Sequence, residues 1–533
     1  MRDPRRPSRL SAAMGLALTL LAAPHAGALE LRSRLPPIVF VTRAPATGAD
    51  AGQVPGLGPH GTFVRGQGTL LEREPDGHVR ALVARDRFRD VADPAVSPDG
   101  ARVAFSGLEA PDGRWRIWVV DRAGGEPLCM TCGGDSSQAS GDDADPCWWG
   151  DRGDTLVFAS TREGGRALYD RTPVTQLWLV ARPGQLSRLT HEPNGALDPC
   201  VDTRAHRLVF ARWWFNPWVS ARTHGLTRDP AAALTPDSVN VWQVVSAALV
   251  RDPHLAPALV GVRLAAGGVV PRRRGMGVQP APLPRGGLLA VSARNTGLAP
   301  RPGKLSLQRY GAPPSAGERL AGAAIGDDTG DPYTENANLA APAACAPAVL
   351  PDGRVLCALD PGGRGDFGLW LLSADGTARA PLYDEPGALA LDPAVVPAAP
   401  AEARARASAP AARRAAEGHT AAPVDTTRTF RYLDTDVFGG DGAPARRPAH
   451  LRVYHLVSAD SVEELRDVAV PSSGRVELHL PADTPLFEQL TDGTGRALMS
   501  AHGPAQVRGF NMGAAGTVAR CTGCHLGHST RTD

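Results

Sequence analysis

Short apolar strands separated by polar turns recur along about three quarters of the chain, and their spacing follows one repeating unit. Each unit starts with an Asp-Pro step, passes a Pro-Asp-Gly-like turn and ends in a strongly apolar strand, most clearly in residues 93–105, DPAVSPDGARVAF. Further copies, one degenerate and the last truncated, begin at Asp145, Asp198, Pro280, Ala346 and Asp392. A second short strand that carries a Trp follows the full copies, at Trp118, Trp178, Trp242 and Trp370.

This repeat predicts an all-β fold with a β-propeller of about six blades, because each unit of short strands and tight turns must stack on its neighbours to bury its apolar face. We place the propeller in residues 29–397. An isolated buried-type strand at residues 37–41 precedes the first copy, and we expect it to pair with the truncated last copy and close the ring. A β-sandwich array or irregular β domains is the alternative arrangement.

The composition changes after the propeller. Residues 398–423 contain no aromatic residue and no Val, Ile, Leu or Met, so they cannot form a packed core and are interpreted as a linker, with an exposed Ala-rich helix as the alternative. Alternating strands return at residues 429–432, 451–456 and 476–480, which predicts a small β-sandwich-like domain over 424–505. The remaining residues, 506–533, are predicted to be a c-type haem-binding segment.

The N-terminus predicts export. Four arginines precede a short apolar stretch, and Ala26-Gly27-Ala28 fits a cleavage site, so residues 1–28 are interpreted as a signal peptide and the protein as periplasmic or otherwise exported and soluble. Removal of this segment changes the formal charge from +2 to about −1, which gives no indication of nucleic-acid binding. No later stretch is long and apolar enough to predict a transmembrane helix after cleavage.

The sequence Cys521-Thr522-Gly523-Cys524-His525 near the C-terminus is the attachment pattern of a c-type haem. The thiols of Cys521 and Cys524 can form thioethers to one porphyrin, and the imidazole of His525 can bind the iron as proximal ligand. His528 and Met512 are candidate axial ligands, and His528 is also a candidate ligand of a second metal. A metal knuckle or a disulfide followed by a His is the alternative interpretation of the motif.

The other six cysteines are less specific. Cys345 and Cys357 flank a Pro-Asp-Gly turn almost symmetrically, which makes a cross-strand disulfide plausible. Cys147 and Cys200 follow the Asp-Pro step in consecutive repeats, so they are expected to approach each other or line one rim. The CxxC pair Cys129 and Cys132 is a tight disulfide, a redox pair or half a metal site, and together with Cys147 it is a candidate site for a second metal such as zinc.

Four kinds of segment occur along the chain in a fixed order: LPPIVFVTRAP (35–45), the DPxxxPDG repeat starts, PADTPLFEQL (481–490) and GFNMGAAGTVARCTGCHLGHS (509–529). Together they resemble proteins related to the alpha subunit of hydrazine synthase. The resemblance implies an N-terminal propeller, a middle domain that ends in a c-type haem site, and a haem-dependent oxidoreductase. The chain ends eight residues after His525, so the further haem domain of the alpha subunit is not expected here.

The sequence therefore predicts an exported protein, similar to a c-type cytochrome, with one covalent haem c and a redox role. That role is either electron transfer to a redox partner protein or redox chemistry on a small nitrogen-containing ligand at the haem iron. The alternative is a non-catalytic module in which the propeller binds a partner or acts as a scaffold and the haem is structural or sensory.

Overall fold

The computed structural model of the chain describes most of the predicted propeller and part of the segment that follows it. The described residues are 31–110, 113–133, 140–150, 153–167, 171–190, 192, 194–216, 239–250, 257–266, 275–294, 305–310, 318–322, 342–397, 429–439, 444, 446–458, 461–482, 486–500, 503–504, 515–516 and 518–521. The predicted signal peptide (1–28) and linker (398–423) lie outside them.

The described residues of the propeller form six antiparallel four-stranded sheets, which are arranged as its blades. Blade 1 contains β1 (Ile38–Arg43), β2 (Thr69–Arg73) and β3 (Val79–Ala81), and the β1–β2 connection carries a 3₁₀ helix (Gly48–Asp50) and α1 (Gly58–Gly61). Blade 2 contains β4 (Asp90–Val96), β5 (Arg102–Leu108), β6 (Arg116–Asp121) and β7 (Leu128–Cys129). Blade 3 contains β8 (Asp143–Trp149), β9 (Thr155–Ser160), β10 (Gln176–Arg182) and β11 (Gln185–Arg188).

The remaining blades follow the same order. Blade 4 contains β12 (Ala196–Asp202), β13 (Arg207–Asn216), β14 (Val239–Val250) and β15 (Ala258–Ala266). Blade 5 contains β16 (Gly275–Pro282), β17 (Leu288–Arg294), β18 (Leu305–Tyr310) and β19 (Glu318–Gly322). Blade 6 contains β20 (Ala343–Val349), β21 (Val355–Asp360), β22 (Gly368–Leu372) and β23 (Arg379–Tyr383). The strand that follows, β24 (Leu389–Val395), belongs to blade 1. The predicted propeller and its number of blades are confirmed.

The ring closes through the two ends of the propeller sequence. Strand β24 pairs antiparallel with β1, with Ile38 opposite Val395 and Arg43 opposite Leu389, and so supplies the innermost strand of blade 1. The predicted pairing of the early strand with the truncated last repeat is therefore confirmed. Hydrogen bonding between two segments far apart in sequence joins the first blade to the last and leaves no gap in the ring.

Buried apolar side chains fill the space between blades. The tryptophans of the repeat lie on the third strand of their blades, and Trp118, Trp178 and Trp242 are each at most 5% exposed. A continuous cluster of buried residues extends from Val157 in blade 3 to Leu391 in β24. Outer strands are more exposed, as in β11, because only one edge of such a strand is paired and its face borders solvent. The helices among the described residues are single turns, none of them long and apolar enough to cross a membrane.

A second, smaller unit follows the propeller. Its strands are β25 (Thr429–Asp434), β26 (His450–Ser458), β27 (Ser461–Ala469), β28 (Val476–Pro481), β29 (Leu486–Thr491), β30 (Met499–Ser500), β31 (Gly503–Pro504) and β32 (Val518–Cys521). They form two three-stranded sheets, β28-β25-β32 and β27-β26-β29, and the short pair β30-β31. Phe430, Leu451, Leu480 and Leu490 belong to one buried cluster, so the two larger sheets share a core.

Candidate functional site

The haem motif begins at the end of a strand of the second unit. Cys521 is the last residue of β32, which runs parallel to β25 and places Cys521 opposite Asp434. Strand β32 also contacts β15, the outer strand of blade 4. Cys524, His525, His528 and Met512 lie outside the described residues. The structure therefore places the start of the motif between the second unit and the propeller, and it does not test the assignment of ligands.

The CxxC pair of blade 2 is a disulfide. Cys129, at the end of β7, is bonded to Cys132, with 5.5 Å between their Cα atoms. The disulfide is one of the three alternatives that the sequence left open, and because a disulfide has no thiolate to offer, these two cysteines do not form half of a metal site in this state of the protein. Among the residues that the structure describes, no three His, Cys, Asp or Glu side chains come together as a metal site.

Cys345 and Cys357 are both free and buried, so the predicted disulfide between them is wrong. Pairing of β20 with β21 is interrupted by a bulge, which places Cys345 opposite Ala358 and leaves Cys357 opposite the bulge. The turn pairs Val349 with Val355, so the hairpin is centred on Asp352 instead of on Pro351, and after the bulge Ala358 lies opposite Cys345 in place of Cys357. Burial raises the pKa of Cys357 to about 12 and that of Cys345 well above its usual range, so both remain thiols.

Equivalent bulges at the start of every blade bring six residues to the propeller axis. Each precedes a proline and has a positive φ between 48° and 52°, and together they line one central cavity of about 170 Å³. They are Asp93, Asp145, Asp198, Gln279, Ala346 and Asp392. Proline fits the next position because a bulge leaves one residue outside the ladder and proline has no N–H to donate.

These six residues form what we call the axial ring, in which side-chain oxygens accept hydrogen bonds from the backbone of the next blade. The N–H of Asp145 donates to Asp93 Oδ2 at 3.3 Å, and the N–H of Asp198 donates to Asp145 Oδ2 at 3.2 Å. The series continues through Gln279, whose N–H donates to Asp198 Oδ2 at 2.8 Å and whose Oε1 accepts from Ala346 N–H at 2.8 Å. Because Ala346 has no polar side chain, the series has a gap between blade 6 and β24.

Burial is the main cause of raised pKa values in the axial ring. It raises the pKa of Asp198 to about 7 and that of Asp392 to about 8, and the neighbouring carboxylate of Asp93 adds to both shifts. The pKa of Asp145 is raised well above its usual range by burial and by the charges of Asp93 and Asp198. Asp392 therefore keeps its proton at neutral pH and Asp198 is near the midpoint of its titration, which limits the mutual repulsion of the carboxyl groups.

The β1–β2 connection covers the axial ring. Gln279 Nε2 donates to Gly56 O at 3.2 Å, and Val54 and Leu57 are buried in the cluster shared by the neighbouring blades. Gly56 has φ of 78°, and a Cβ there would lie 3.5 Å from Asp93 Oδ1 and 3.6 Å from Asp392 Oδ2. A glycine at this position lets the backbone adopt a left-handed conformation directly above the carboxyl groups.

Cys147 and Cys200 are the first paired residues after the bulges of adjacent blades, two residues beyond Asp145 and Asp198. Both are free; Cys200 lines the axial cavity, and a negative charge on Cys147 would raise the pKa of Cys200 further. Burial alone raises the pKa of Cys147 to about 12. The sequence showed that these two thiols occupy the same position in consecutive repeats. The Asp-Pro step was used there only to recognise the start of a repeat, so the axial ring was not predicted. The signal for an axial ring was the recurrence of a polar residue before proline.

Comparison with known proteins supports the fold. No family model matches the chain, and no curated protein matches its sequence. Hydrazine synthase from Kuenenia stuttgartiensis is similar in structure, with a TM-score of 0.63 at 14% identity over 93% of this chain and 70% of that one. The β-propeller domain of the trilobed protease from Pyrococcus furiosus has a TM-score of 0.30 at 10% identity, over 66% of this chain and 82% of its own. At such identities only the likeness to hydrazine synthase is informative, and it shows a shared fold.

Proposed function

We propose that the chain is an exported protein that carries one covalent c-type haem and has a redox role. The observation that carries this proposal is the motif Cys521-Thr522-Gly523-Cys524-His525, whose first residue ends a strand of a folded sheet. The donor set fits the group, because two thiols separated by two residues and an adjacent imidazole are what haem c attachment requires. When bound, the haem supplies one-electron chemistry at its iron.

The chain's own residues fix where the motif starts. Pairing of β32 with β25 holds the backbone of Cys521 beside Asp434, which is only 3% exposed, and contact with β15 brings the same strand against blade 4. The first residue of the motif therefore belongs to a folded unit. We infer that the second unit presents the haem and that the propeller forms a wall beside it.

Two roles follow from this proposal. The fold shared with hydrazine synthase supports redox chemistry on a small nitrogen compound as one of them. Electron transfer to a partner protein is the other, and a ligand such as Met512 on the sixth position of the iron would favour it. The alternative to both redox roles is a scaffold with a structural haem.

The test is to produce the full chain in a host with a cytochrome c maturation system and to detect covalent haem after denaturation. We expect wild-type protein to retain haem and the Cys521→Ala/Cys524→Ala variant to lose it. The Cys129→Ala/Cys132→Ala variant is the matched control, because that CxxC pair is followed by Gly133 and has no adjacent histidine. Absence of covalent haem from the wild-type chain would overturn the proposal.

Spectra then distinguish the roles. Binding of CO or NO to the reduced protein indicates an open iron position and supports small-molecule chemistry, whereas a six-coordinate spectrum that neither ligand changes supports electron transfer. A haem that cannot be reduced and reoxidised reversibly would leave the scaffold role. The variants His525→Ala, His528→Ala and Met512→Ala assign the axial ligands, since only loss of a true ligand changes the coordination spectrum.

A further inference from the structure

The disulfide of blade 2 lies at the surface on a segment that is otherwise fixed. Cys132 is exposed and Cys129 is half-buried, whereas the two residues between them point inward, with Met130 9% and Thr131 2% exposed. The N–H of Met130 donates to Ile117 O at 2.8 Å, and Thr131 Oγ1 accepts from the N–H of Ile117 at 3.0 Å. The hydrogen bonds to β6 hold this segment in place whether or not the two sulfurs are bonded.

Such a disulfide adds little to stability. It closes a loop of only a few residues, and the gain from restricting the unfolded chain grows with loop length. The backbone of the same loop is already held by Ile117 and by Gly184, whose N–H donates to Met130 O at 3.0 Å. A structural role therefore explains the bond poorly, and reversible chemistry at an exposed site is the better explanation.

The two sulfur atoms differ in a way that suits exchange. The backbone N–H of Cys132 donates to Cys129 Sγ at 3.0 Å. A hydrogen bond of this kind stabilises a thiolate on Cys129 and makes it the better leaving group. The sulfur of Cys132 belongs to the more exposed residue and is the accessible point of attack.

We propose that Cys129 and Cys132 form a second redox site, a dithiol–disulfide couple that exchanges with a protein dithiol. A thiolate of the partner attacks Cys132 Sγ, forms a mixed disulfide and releases the Cys129 thiolate, which takes up a proton. The second thiol of the partner then displaces Cys132 and completes the partner's own disulfide. In the sum, two electrons and two protons pass from the partner dithiol to this chain. The couple works independently of the haem.

A neighbouring side chain indicates that the exchange partner is a protein. Leu128, next to Cys129 on β7, is 55% exposed and is the one exposed large hydrophobic side chain in the part of the chain that the structure describes. A small thiol gains nothing from this side chain, whereas a protein dithiol can cover it while its sulfur approaches Cys132. The free cysteines Cys147, Cys345 and Cys357 are buried and Cys200 is half-buried at the axial cavity, so all four lie away from the surface, and burial raises the pKa of each.

The first test equilibrates the folded full chain in dithiothreitol buffers of graded potential, alkylates free thiols and maps them by peptide mass spectrometry. We expect Cys129 and Cys132 to be reduced and reoxidised together and reversibly, with the near-UV circular dichroism spectrum unchanged and with Cys147, Cys345 and Cys357 inaccessible to the alkylating reagent. Reduction that occurs only when the protein unfolds would overturn the proposal.

The second test separates the roles of the two sulfurs and of Leu128. With reduced glutathione, the mixed disulfide trapped on the wild-type chain by rapid alkylation should lie at Cys132 at least ten times as often as at Cys129; equal amounts at the two cysteines would contradict the mechanism. With reduced thioredoxin as the protein dithiol, Leu128→Ser should slow exchange at least threefold and leave the rate with dithiothreitol unchanged. Equal rates of wild type and Leu128→Ser with thioredoxin would overturn the protein partner.

Discussion

At the scale of single residues, aspartate recurs at four of the six positions of the axial ring for a local reason. Asp and Asn adopt the left-handed backbone conformation more readily than most residues, and a carboxylate at this position can reach the N–H of the next blade. The same choice places four carboxyl groups around one cavity, at Asp93, Asp145, Asp198 and Asp392. Their burial raises their pKa values, so the ring is most stable when protonated.

Replacing one of these carboxyl groups should change how stability depends on pH. In the unfolded chain Asp392 ionises with its ordinary pKa near 4, whereas in the folded protein its pKa is about 8. Its contribution to stability is therefore complete below pH 4 and is lost as pH rises towards 8, by at most about 1.4 kcal/mol per pH unit. We expect Asp392→Asn to make the fall in unfolding free energy between pH 5 and pH 8 shallower, as measured by urea denaturation.

Asp375→Asn is the matched control for this measurement. Asp375 lies in an exposed turn, where hydrogen bonds from Ser373 and Thr377 lower its pKa to about 2. Both its folded and its unfolded form are ionised between pH 5 and pH 8, so the slope should stay that of the wild type. A slope for Asp392→Asn equal to that of the wild type would show that the ring carboxyl does not hold a proton.

At the scale of elements, the bulge at the start of each blade combines two tasks. It admits a proline into an otherwise paired strand, and it turns the preceding residue towards the axis, where its side chain bonds to the next blade. Blade 6 departs from this pattern, because Ala346 has φ of 48° and no side-chain acceptor. An alanine in the left-handed region is unfavourable by about 1–2 kcal/mol.

We expect Ala346→Asn to raise the free energy of unfolding by about 1 kcal/mol, because asparagine tolerates the backbone conformation and supplies an oxygen at the gap in the axial ring. Ala346→Gly is the control, since glycine relieves the backbone strain without supplying an acceptor. Urea denaturation of the three proteins at one pH measures the effect. Stability of Ala346→Asn no higher than that of Ala346→Gly would show that the oxygen makes no bond.

Pairing details within an element were harder to predict than the element itself. The hairpin β20–β21 was evident from its apolar strands and its Pro-Asp-Gly turn, yet the pairing of Cys345 and Cys357 was wrong. A bulge shifts the register by one residue without changing the apolar pattern by which strands are recognised. The turn, centred on Asp352, and the bulge between Cys345 and Ala348 together decide the register.

At the scale of the whole molecule, the propeller is complete without the unit that follows it. Its closing strand, β24, ends at Val395, and all its blades are formed by residues up to that point. In the part of the second unit that the structure describes, no strand joins a blade, and β32 touches the ring at β15. The two units are therefore expected to fold independently of each other.

A fragment of residues 29–397 should fold cooperatively, with the β-sheet circular dichroism and single thermal transition of a closed propeller. A fragment of residues 29–385 is the control, because it lacks β24 and leaves the inner edge of β1 unpaired. We expect this shorter fragment to aggregate or to lose the cooperative transition. Equal thermal stability of the two fragments would show that ring closure through β24 contributes nothing.

The sequence by itself determined the class of fold, the number of blades and the strands that close the ring, because apolar periodicity and turn residues act locally and recur in every blade. It also contained the motif at Cys521, Cys524 and His525, from which the proposed haem site derives. Only the tertiary structure decided which side chains meet: the Cys129–Cys132 disulfide at the surface, the separate thiols of Cys345 and Cys357, and the carboxyl groups at the axis. The reason is physical, since burial and distance between residues far apart in sequence arise only when the blades close around a common axis.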